Sequence, residues 1–127
     1  MANELILIVE DNEKNRKLVR DVLQFKGYRT IEAETGEVAV TLAKQHKPDL
    51  ILMDYQLPGI DGIETFRRVR GEASTAHIPI VAVTASAMPE DAKKMMDAGF
   101  DGFQTKPLNV KQFMQAVDDL FSAKAAQ

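Results

Sequence analysis

The sequence predicts an α/β fold, a doubly wound sheet of five parallel strands with helices on both faces. Short apolar runs bounded by turn residues alternate five times with stretches in which apolar residues recur at helical spacing. Continuous apolar runs are typical of strands covered on both faces, which occur in parallel sheets with right-handed crossovers. No linker-like stretch divides the chain, so we expect one domain over residues 1–127, with its core at about 4–122.

Five runs are the candidate strands. Leu5–Val9 and residues 50–53 are continuously apolar, and each is followed directly by acid, Glu10-Asp11 in one case and Asp54 in the other. Residues 79–84 form a third apolar run, whereas 28–31 and 100–105 are weaker candidates. All five runs have ordinary strand lengths.

The first two helices are predicted from apolar spacing and from their ends. The first presents a broad apolar face and stops at Gly27, a residue favoured just past a helix end. In the second, Thr35 can cap the start, and Pro48 forces an end before Lys47. The residues expected to point inward are Leu18, Val19, Val22, Leu23 and Phe25 in the first helix, and Val38, Ala39, Leu42 and Ala43 in the second.

The remaining three helices carry similar signals. Asp61 and Glu64 have capping-box spacing, and Gly71 ends the third helix. The fourth runs from Pro89 to a stop at Gly99. The fifth opens at a capping pair, Asn109 and Gln112. The expected inward residues are Ile63, Phe66 and Val69 in the third helix, and Val110, Phe113, Met114, Val117, Leu120 and Phe121 in the fifth.

Composition excludes several classes of protein. A net charge of -3 without a basic stripe argues against a nucleic-acid binder. The absence of cysteine excludes disulfides and thiolate metal sites and fits a reducing compartment. The first residues do not resemble a signal peptide, and no segment reaches membrane-spanning length. We therefore expect a soluble, cytoplasmic protein with no direct membrane insertion.

Chemically active side chains follow four of the five predicted strands. Glu10 and Asp11, Asp54, Thr84 and Lys106 stand at the carboxyl ends, where ligands bind in open parallel sheets. Three carboxylates in one cleft repel one another, and one lysine cannot neutralise them. A hard divalent cation can, and magnesium takes one or two carboxylates while keeping several waters.

This constellation suggests phosphoryl chemistry. Asp54 is the candidate nucleophile towards phosphorus, while the Thr84 hydroxyl and the Lys106 ammonium can donate to phosphoryl oxygens. Each residue alone also has an ordinary interpretation: Asp54 as a turn residue, Glu10-Asp11 as a helix cap, Thr84 as a strand-end hydroxyl, and Lys106 as a solvated charge. Joint placement at four strand ends favours the chemical interpretation.

The chain resembles the receiver domains of bacterial response regulators over about residues 4–122. The resemblance is carried by residues 9–12 (Val-Glu-Asp-Asn), residues 52–62 around Asp54, residues 83–85 and Lys106-Pro107. It implies a flavodoxin-like (βα)5 fold with strand order 2-1-3-4-5. Asn12, Asn15 and residues 84–88 look most similar to single-domain regulators of the DivK type and to receiver domains of hybrid kinases.

The resemblance also implies roles for individual residues. Asp54 is the expected phosphoacceptor, and Glu10, Asp11, Asp54 and the Gln56 backbone carbonyl are the expected Mg²⁺ ligands. Thr84 and Lys106 are expected to contact the phosphoryl group, and the Lys106-Pro107 bond to be cis. Thr84 and Phe103 are the expected switch pair, with Phe103 standing where tyrosine is frequent in the family.

The implied partners are a sensor histidine kinase or histidine phosphotransfer protein and a downstream protein target. Nothing after residue 122 suggests a DNA-binding output domain, and we expect a phosphoprotein that is not a turnover enzyme. Two alternatives are a receiver excised from a hybrid kinase and an aspartyl-phosphate phosphatase, although Gln56 replaces the second acid of the latter. A flavodoxin-like cofactor binder is disfavoured by the acidic first loop. His46, His77 and the basic residues Arg16, Lys17 and Arg20 are predicted to lie on solvated surfaces. For the three basic residues, the alternative is a contact with the phosphotransfer domain of a kinase.

Overall fold

Five parallel strands form one sheet in the computed structural model, which describes residues 4–54, 62–84, 89–105 and 110–125. The sheet order is β2-β1-β3-β4-β5, and each neighbouring pair of strands is parallel. The predicted doubly wound fold and its strand order are therefore confirmed. The strands are β1 Leu5–Val9, β2 Arg29–Ala33, β3 Leu50–Asp54, β4 Ile80–Thr84 and β5 Gly102–Thr105.

A helix follows each strand, so chain order and strand–helix alternation agree with the sequence pattern. None of the described helices is both long and apolar enough to cross a lipid bilayer. The helices are α1 Glu13–Phe25, α2 Gly36–His46, α3 Gly62–Arg70, α4 Pro89–Ala98 and α5 Val110–Ala125.

Apolar side chains cover both faces of the sheet. Successive residues of a strand point to opposite faces, so Leu7 and Val9 join one core and Ile6 and Ile8 the other. The first core includes residues of α2 and α3, such as Ala39 and Phe66. The second core includes Leu23 of α1 and Phe113 and Val117 of α5. All five residues of β3 are buried, as expected for the central strand.

The ends of α1 and α2 follow the predicted chemistry. Gly27, at φ 91°, stands just past the α1 cap residue Lys26. The Gly27 amide donates to the Gln24 carbonyl and the Tyr28 amide to the Leu23 carbonyl, which is a Schellman motif. At the start of α2, the Thr35 side chain accepts from the Val38 amide at 3.2 Å.

The inward faces predicted for α1 and α2 are wrong at three positions. Leu18, Phe25 and Val38 are exposed, Phe25 by 85%. The apolar residues of these two helices form a wider stripe than the sheet covers. In α3 and α5 the prediction holds better, since Phe66, Val69, Phe113 and Val117 are buried.

Strand ends also differ from the prediction. The second strand begins one residue later than expected and continues to Ala33, and the fifth begins only at Gly102. Phe100 is buried, but it lies ahead of β5. The predicted caps Asp61 and Asn109 lie outside the described residues.

Candidate functional site

Three carboxylates converge at the carboxyl ends of two central strands. The register pairs Val9 of β1 with Met53 of β3, so the residues that follow, Glu10 and Asp54, come side by side. Asp11 follows Glu10 directly. One carboxylate oxygen from each of Glu10, Asp11 and Asp54 lies within 4.8 Å of the others. The sequence-predicted convergence of these three acids is therefore present in the structure.

The three acids differ in exposure. Glu10 is 5% exposed and Asp54 7%, whereas Asp11 is exposed. Charge buried this deeply is costly unless it is paired or ligates a metal. The cluster is thus enclosed by the fold on the side of the two strands and open to solvent at Asp11.

The backbone of Glu10 is held on both sides of its side chain. Its amide donates to the Ala33 carbonyl at the end of β2, at 3.0 Å. Its carbonyl accepts from Nη1 of Arg16, also at 3.0 Å. Its Oε2 accepts a long hydrogen bond, 3.4 Å, from the Asn12 amide. The first acid of the cluster therefore has a defined position.

Asn12 is the cap of α1, and its side chain accepts from the Asn15 amide at 3.0 Å. Glu10 and Asp11 precede this residue and do not serve as the cap. The ordinary interpretation of the Glu10-Asp11 pair, as the residues that cap the first helix, is therefore wrong. Asn12 takes that role, and the two acids belong to the cluster with Asp54.

The donor set fits a hard divalent cation. Magnesium prefers oxygen ligands at about 2.1 Å, so two ligands on opposite sides of the ion lie about 4.2 Å apart. The carboxylate oxygens here lie within 4.8 Å of one another, close to that upper limit. Carboxylates together with water form the coordination that this ion usually accepts.

The other predicted site residues are only partly described. Thr84 is the last residue of β4 and pairs with Thr105 of β5. The residue before it, Val83, pairs with Asp54 of β3. Phe103 of β5 is partly buried and packs against the first core. Gln56, Lys106 and Pro107 lie outside the described residues, so their predicted roles remain predictions.

His46 and His77 are exposed, and the cluster of Glu10, Asp11 and Asp54 includes neither of them. Arg16, by contrast, was predicted to lie on a solvated face, and this prediction is wrong. Its side chain is only 13% exposed and its Nε lies 3.0 Å from Glu32 Oε1. The sequence carries no local signal for this contact, because Glu32 comes from a different element.

Fold and site together define a doubly wound α/β domain with an acidic, metal-compatible cleft at the carboxyl ends of its strands. The model of the response regulator receiver domain family matches residues 6–118. The chain belongs to this family.

Relatives in sequence point to the same family. The polar-differentiation response regulator DivK of Brucella anthropi is 42% identical over 112 residues, which are 88% of this chain and 91% of DivK. DivK of Brucella abortus strain 2308 matches to the same extent. The predicted similarity to regulators of the DivK type is therefore confirmed.

Solved structures agree. The receiver domain of the sensor histidine kinase PA1611 from Pseudomonas aeruginosa, with magnesium coordinated in its active-site cleft, superposes with a TM-score of 0.85 at 32% identity, covering 92% of this chain and 96% of that one. The chemotaxis response regulator CheY4 of Vibrio cholerae gives 0.87 at 26% identity, covering 92% and 98%. The likeness thus includes receivers of kinases as well as separate regulators.

Proposed function

We propose that this chain is a phosphoacceptor of a two-component or phosphorelay system. Asp54 takes a phosphoryl group from a phosphohistidine of a sensor histidine kinase or a histidine phosphotransfer protein. The observation that carries the proposal is the position of the Asp54 carboxylate, which lies at the end of the central strand within 4.8 Å of two further carboxylates. Membership of the receiver family supports the same role.

In the proposed reaction, a carboxylate oxygen of Asp54 attacks the phosphorus of the donor. The P–N bond to the imidazole breaks, a P–O bond to Asp54 forms, and the released histidine nitrogen takes a proton from solvent. The product is an acyl phosphate on Asp54. To this step the protein contributes mainly position and electrostatic stabilisation.

Glu10, Asp11 and Asp54 would hold Mg²⁺, with the Gln56 backbone carbonyl as a further ligand. The ion supplies positive charge that lowers the repulsion between the acids and the incoming phosphoryl oxygens. The magnesium coordinated in the PA1611 receiver domain supports this assignment.

Thr84 and Lys106 are the proposed contacts of the phosphoryl group, the first as a hydroxyl donor and the second as an ammonium. Thr84 ends β4, which neighbours the strand of Asp54. Phe103 is the proposed switch partner, and it is partly buried and packs against the first core. Modification would shift an existing conformational equilibrium rather than create a new state.

The proposed output is association with a downstream protein, and the chain is not a turnover enzyme. Phosphatases that form an aspartyl phosphate use a second acid two residues after the nucleophile, and here that residue is Gln56. The lack of cysteine supports a reducing compartment, so we place this reaction in the cytoplasm.

The proposal is tested with a P–N phosphodonor. Phosphoramidate and Mg²⁺ should label the protein, and intact-mass measurement should find one added phosphoryl group. Asp54→Asn should remove the label, and chelation of Mg²⁺ should do the same for the unaltered chain. Equal labelling of the wild type and Asp54→Asn would contradict the assignment.

A small phosphomonoester separates this proposal from the phosphatase alternative. A regulator should release at most one equivalent of inorganic phosphate per protein molecule. Sustained release of inorganic phosphate over many equivalents would favour the enzyme.

A further inference from the structure

Arg16 connects the acidic cluster to the neighbouring edge strand. Its three guanidinium nitrogens reach three different groups: Nη1 the Glu10 carbonyl at 3.0 Å, Nε the Glu32 carboxylate at 3.0 Å, and Nη2 the Glu34 carboxylate at 3.4 Å. Glu32 lies in β2, and Arg16 lies in the first turn of α1. The Arg16 side chain is only 13% exposed and Glu32 is 26% exposed, whereas Glu34 is 72% exposed, so only the contact with Glu34 lies at the surface.

The contact with the Glu10 carbonyl has a geometric consequence for Asp11. A peptide group is planar, so the carbonyl of Glu10 and the amide of Asp11 share one plane. The Glu10 amide is fixed separately by the Ala33 carbonyl. Arg16 therefore fixes the orientation of the peptide group that joins Glu10 to Asp11, and with it the position of the Asp11 Cα atom.

Within residues 4–54, 62–84, 89–105 and 110–125, no hydrogen bond or ion pair holds the Asp11 side chain. It is the exposed member of the cluster, whereas Glu10 and Asp54 are buried. A metal site loses affinity when a ligand has to be ordered on binding, because the entropy of ordering opposes binding. A ligand whose backbone is fixed in advance avoids that cost.

The charge of Arg16 is balanced by carboxylates outside the cluster. Glu32 accepts from Arg16 and from Arg20, and Glu34 lies 3.4 Å from Arg16. The guanidinium therefore contacts the cluster through a neutral backbone carbonyl rather than through one of its carboxylates. It orients the acids without acting as their counter-ion.

We propose that Arg16 is a positioning residue for the divalent cation: it fixes the Glu10–Asp11 peptide and so raises Mg²⁺ affinity. This inference rests on the Mg²⁺ site of the proposed function and extends it to a residue on α1. Groups outside the ligand set that orient ligands typically change metal affinity by about 10- to 100-fold when removed.

Electrostatics alone makes the opposite prediction. Arg16→Met removes a positive charge that lies against the Glu10–Asp11 peptide, and this loss by itself should strengthen the binding of a cation nearby. If Arg16 acts by position, the same variant should weaken binding. The sign of the change therefore separates the two effects.

Arg20 supplies a matched control. Its Nη1 lies 3.1 Å from Glu32 Oε2, so it belongs to the same ion-pair network, and its described contacts are with Glu32 and Asp21. Arg20→Met removes the same charge from the same helix and leaves the Glu10 carbonyl bonded to Arg16.

The experiment is a Mg²⁺ titration of the full chain, followed by amide NMR shifts, for the wild type and each variant. Arg16→Met should weaken Mg²⁺ binding by about tenfold, and Arg20→Met should change it by less than about twofold, as expected for a partly exposed ion pair. Urea unfolding without Mg²⁺ should show a larger loss of stability for Arg16→Met, which removes three contacts of a mostly buried side chain, than for Arg20→Met, and both variants should be folded in the absence of urea.

Arg16→Lys provides a second variant in case Arg16→Met does not fold. It keeps the charge but lacks the planar fork that reaches the carbonyl and Glu32 together, so Mg²⁺ binding should again weaken. Wild-type affinity in both Arg16 variants, tighter binding by Arg16→Met, or an equal loss in Arg20→Met would overturn the inference. If the wild type bound no Mg²⁺, or Asp11→Asn bound it equally well, the metal site of the proposed function would fail first.

Discussion

Tyr28 lies between α1 and β2, at the amino ends of the strands, whereas the acidic cluster lies at their carboxyl ends. It links this region to α5. Its hydroxyl donates to Asp118 Oδ1 at 2.6 Å, and Lys26 Nζ lies 3.0 Å from Asp118 Oδ2. Its ring packs against Phe121, with centroids 5.4 Å apart. Burial, and then the Asp118 carboxylate, raise the pKa of Tyr28 far above its usual range. The residue therefore anchors α5 as a neutral donor.

Replacing this hydroxyl should destabilise the fold modestly. Tyr28→Phe keeps the ring and leaves Asp118 without its strongest hydrogen bond, so the free energy of unfolding should fall by about 1 kcal/mol. Urea unfolding measures the change. Gln115→Ala removes an exposed hydrogen bond on the same helix and should cost less than about 0.5 kcal/mol. Equal losses in the two variants would argue against an anchoring role.

Asp118 should make stability depend on pH in the acid range. The hydrogen bond from Tyr28 and the charge of Lys26 hold its pKa below the usual 3.8, although burial opposes them. A carboxylate whose folded pKa is lowered stabilises the protein above its unfolded pKa and loses this contribution as pH falls through the folded value. The stability difference between wild type and Asp118→Asn should therefore be constant above about pH 5 and shrink below pH 4. Urea unfolding at several pH values tests this, and a difference unchanged at pH 3 would contradict it.

At the scale of the helix, α1 shows how an apolar residue can lie outside the core. Leu23 is fully buried, whereas Phe25, two residues later, is 85% exposed. Two positions along a helix turn the side chain by about 200°, since one turn takes 3.6 residues. The apolar pattern of the sequence does not state how wide a stripe the sheet covers.

This difference should be measurable within one helix. Leu23→Ala should lower the free energy of unfolding by about 2–5 kcal/mol, because it leaves a cavity in the second core. Phe25→Ser should change it by less than about 0.5 kcal/mol, as for other surface substitutions. Chemical denaturation of both variants decides the matter, and a large loss in Phe25→Ser would mean that the ring is covered in solution.

At the scale of the whole molecule, the acidic cluster should couple metal binding to folding. The unfolded chain separates Glu10 and Asp11 from Asp54 by more than forty residues, so it cannot present the same ligand set. A ligand that binds only the folded state stabilises it by mass action.

Mg²⁺ should therefore raise the free energy of unfolding, by about 2.7 kcal/mol when its concentration is about a hundred times its Kd. Asp11→Asn should lose most of this gain, because it removes a ligand of the cluster. Urea unfolding with and without Mg²⁺ measures the effect, and NaCl at matched ionic strength controls for charge screening. An equal gain from NaCl would show that Mg²⁺ acts by screening alone.

Most of the fold was predictable because its signals are local. The apolar runs of β1 and β3, the stop at Gly27 and the cap at Thr35 each depend on a few neighbouring residues, and alternation then leads to a parallel sheet. Acids at strand ends were predictable for the same reason. In a parallel sheet all carboxyl ends lie at one edge, and because β1 and β3 are neighbours in the sheet, Glu10, Asp11 and Asp54 come close together.

Arg16 and Phe25 could not be placed in this way. Whether a basic side chain on α1 is solvated or enclosed depends on what lies opposite, and Glu32 comes from β2 at the sheet edge. The sequence by itself determined the alternation of elements and the type of chemistry at the strand ends, because both follow from local pattern. The tertiary structure decided which helix residues are covered and which groups orient the acids, because those contacts join elements distant along the chain.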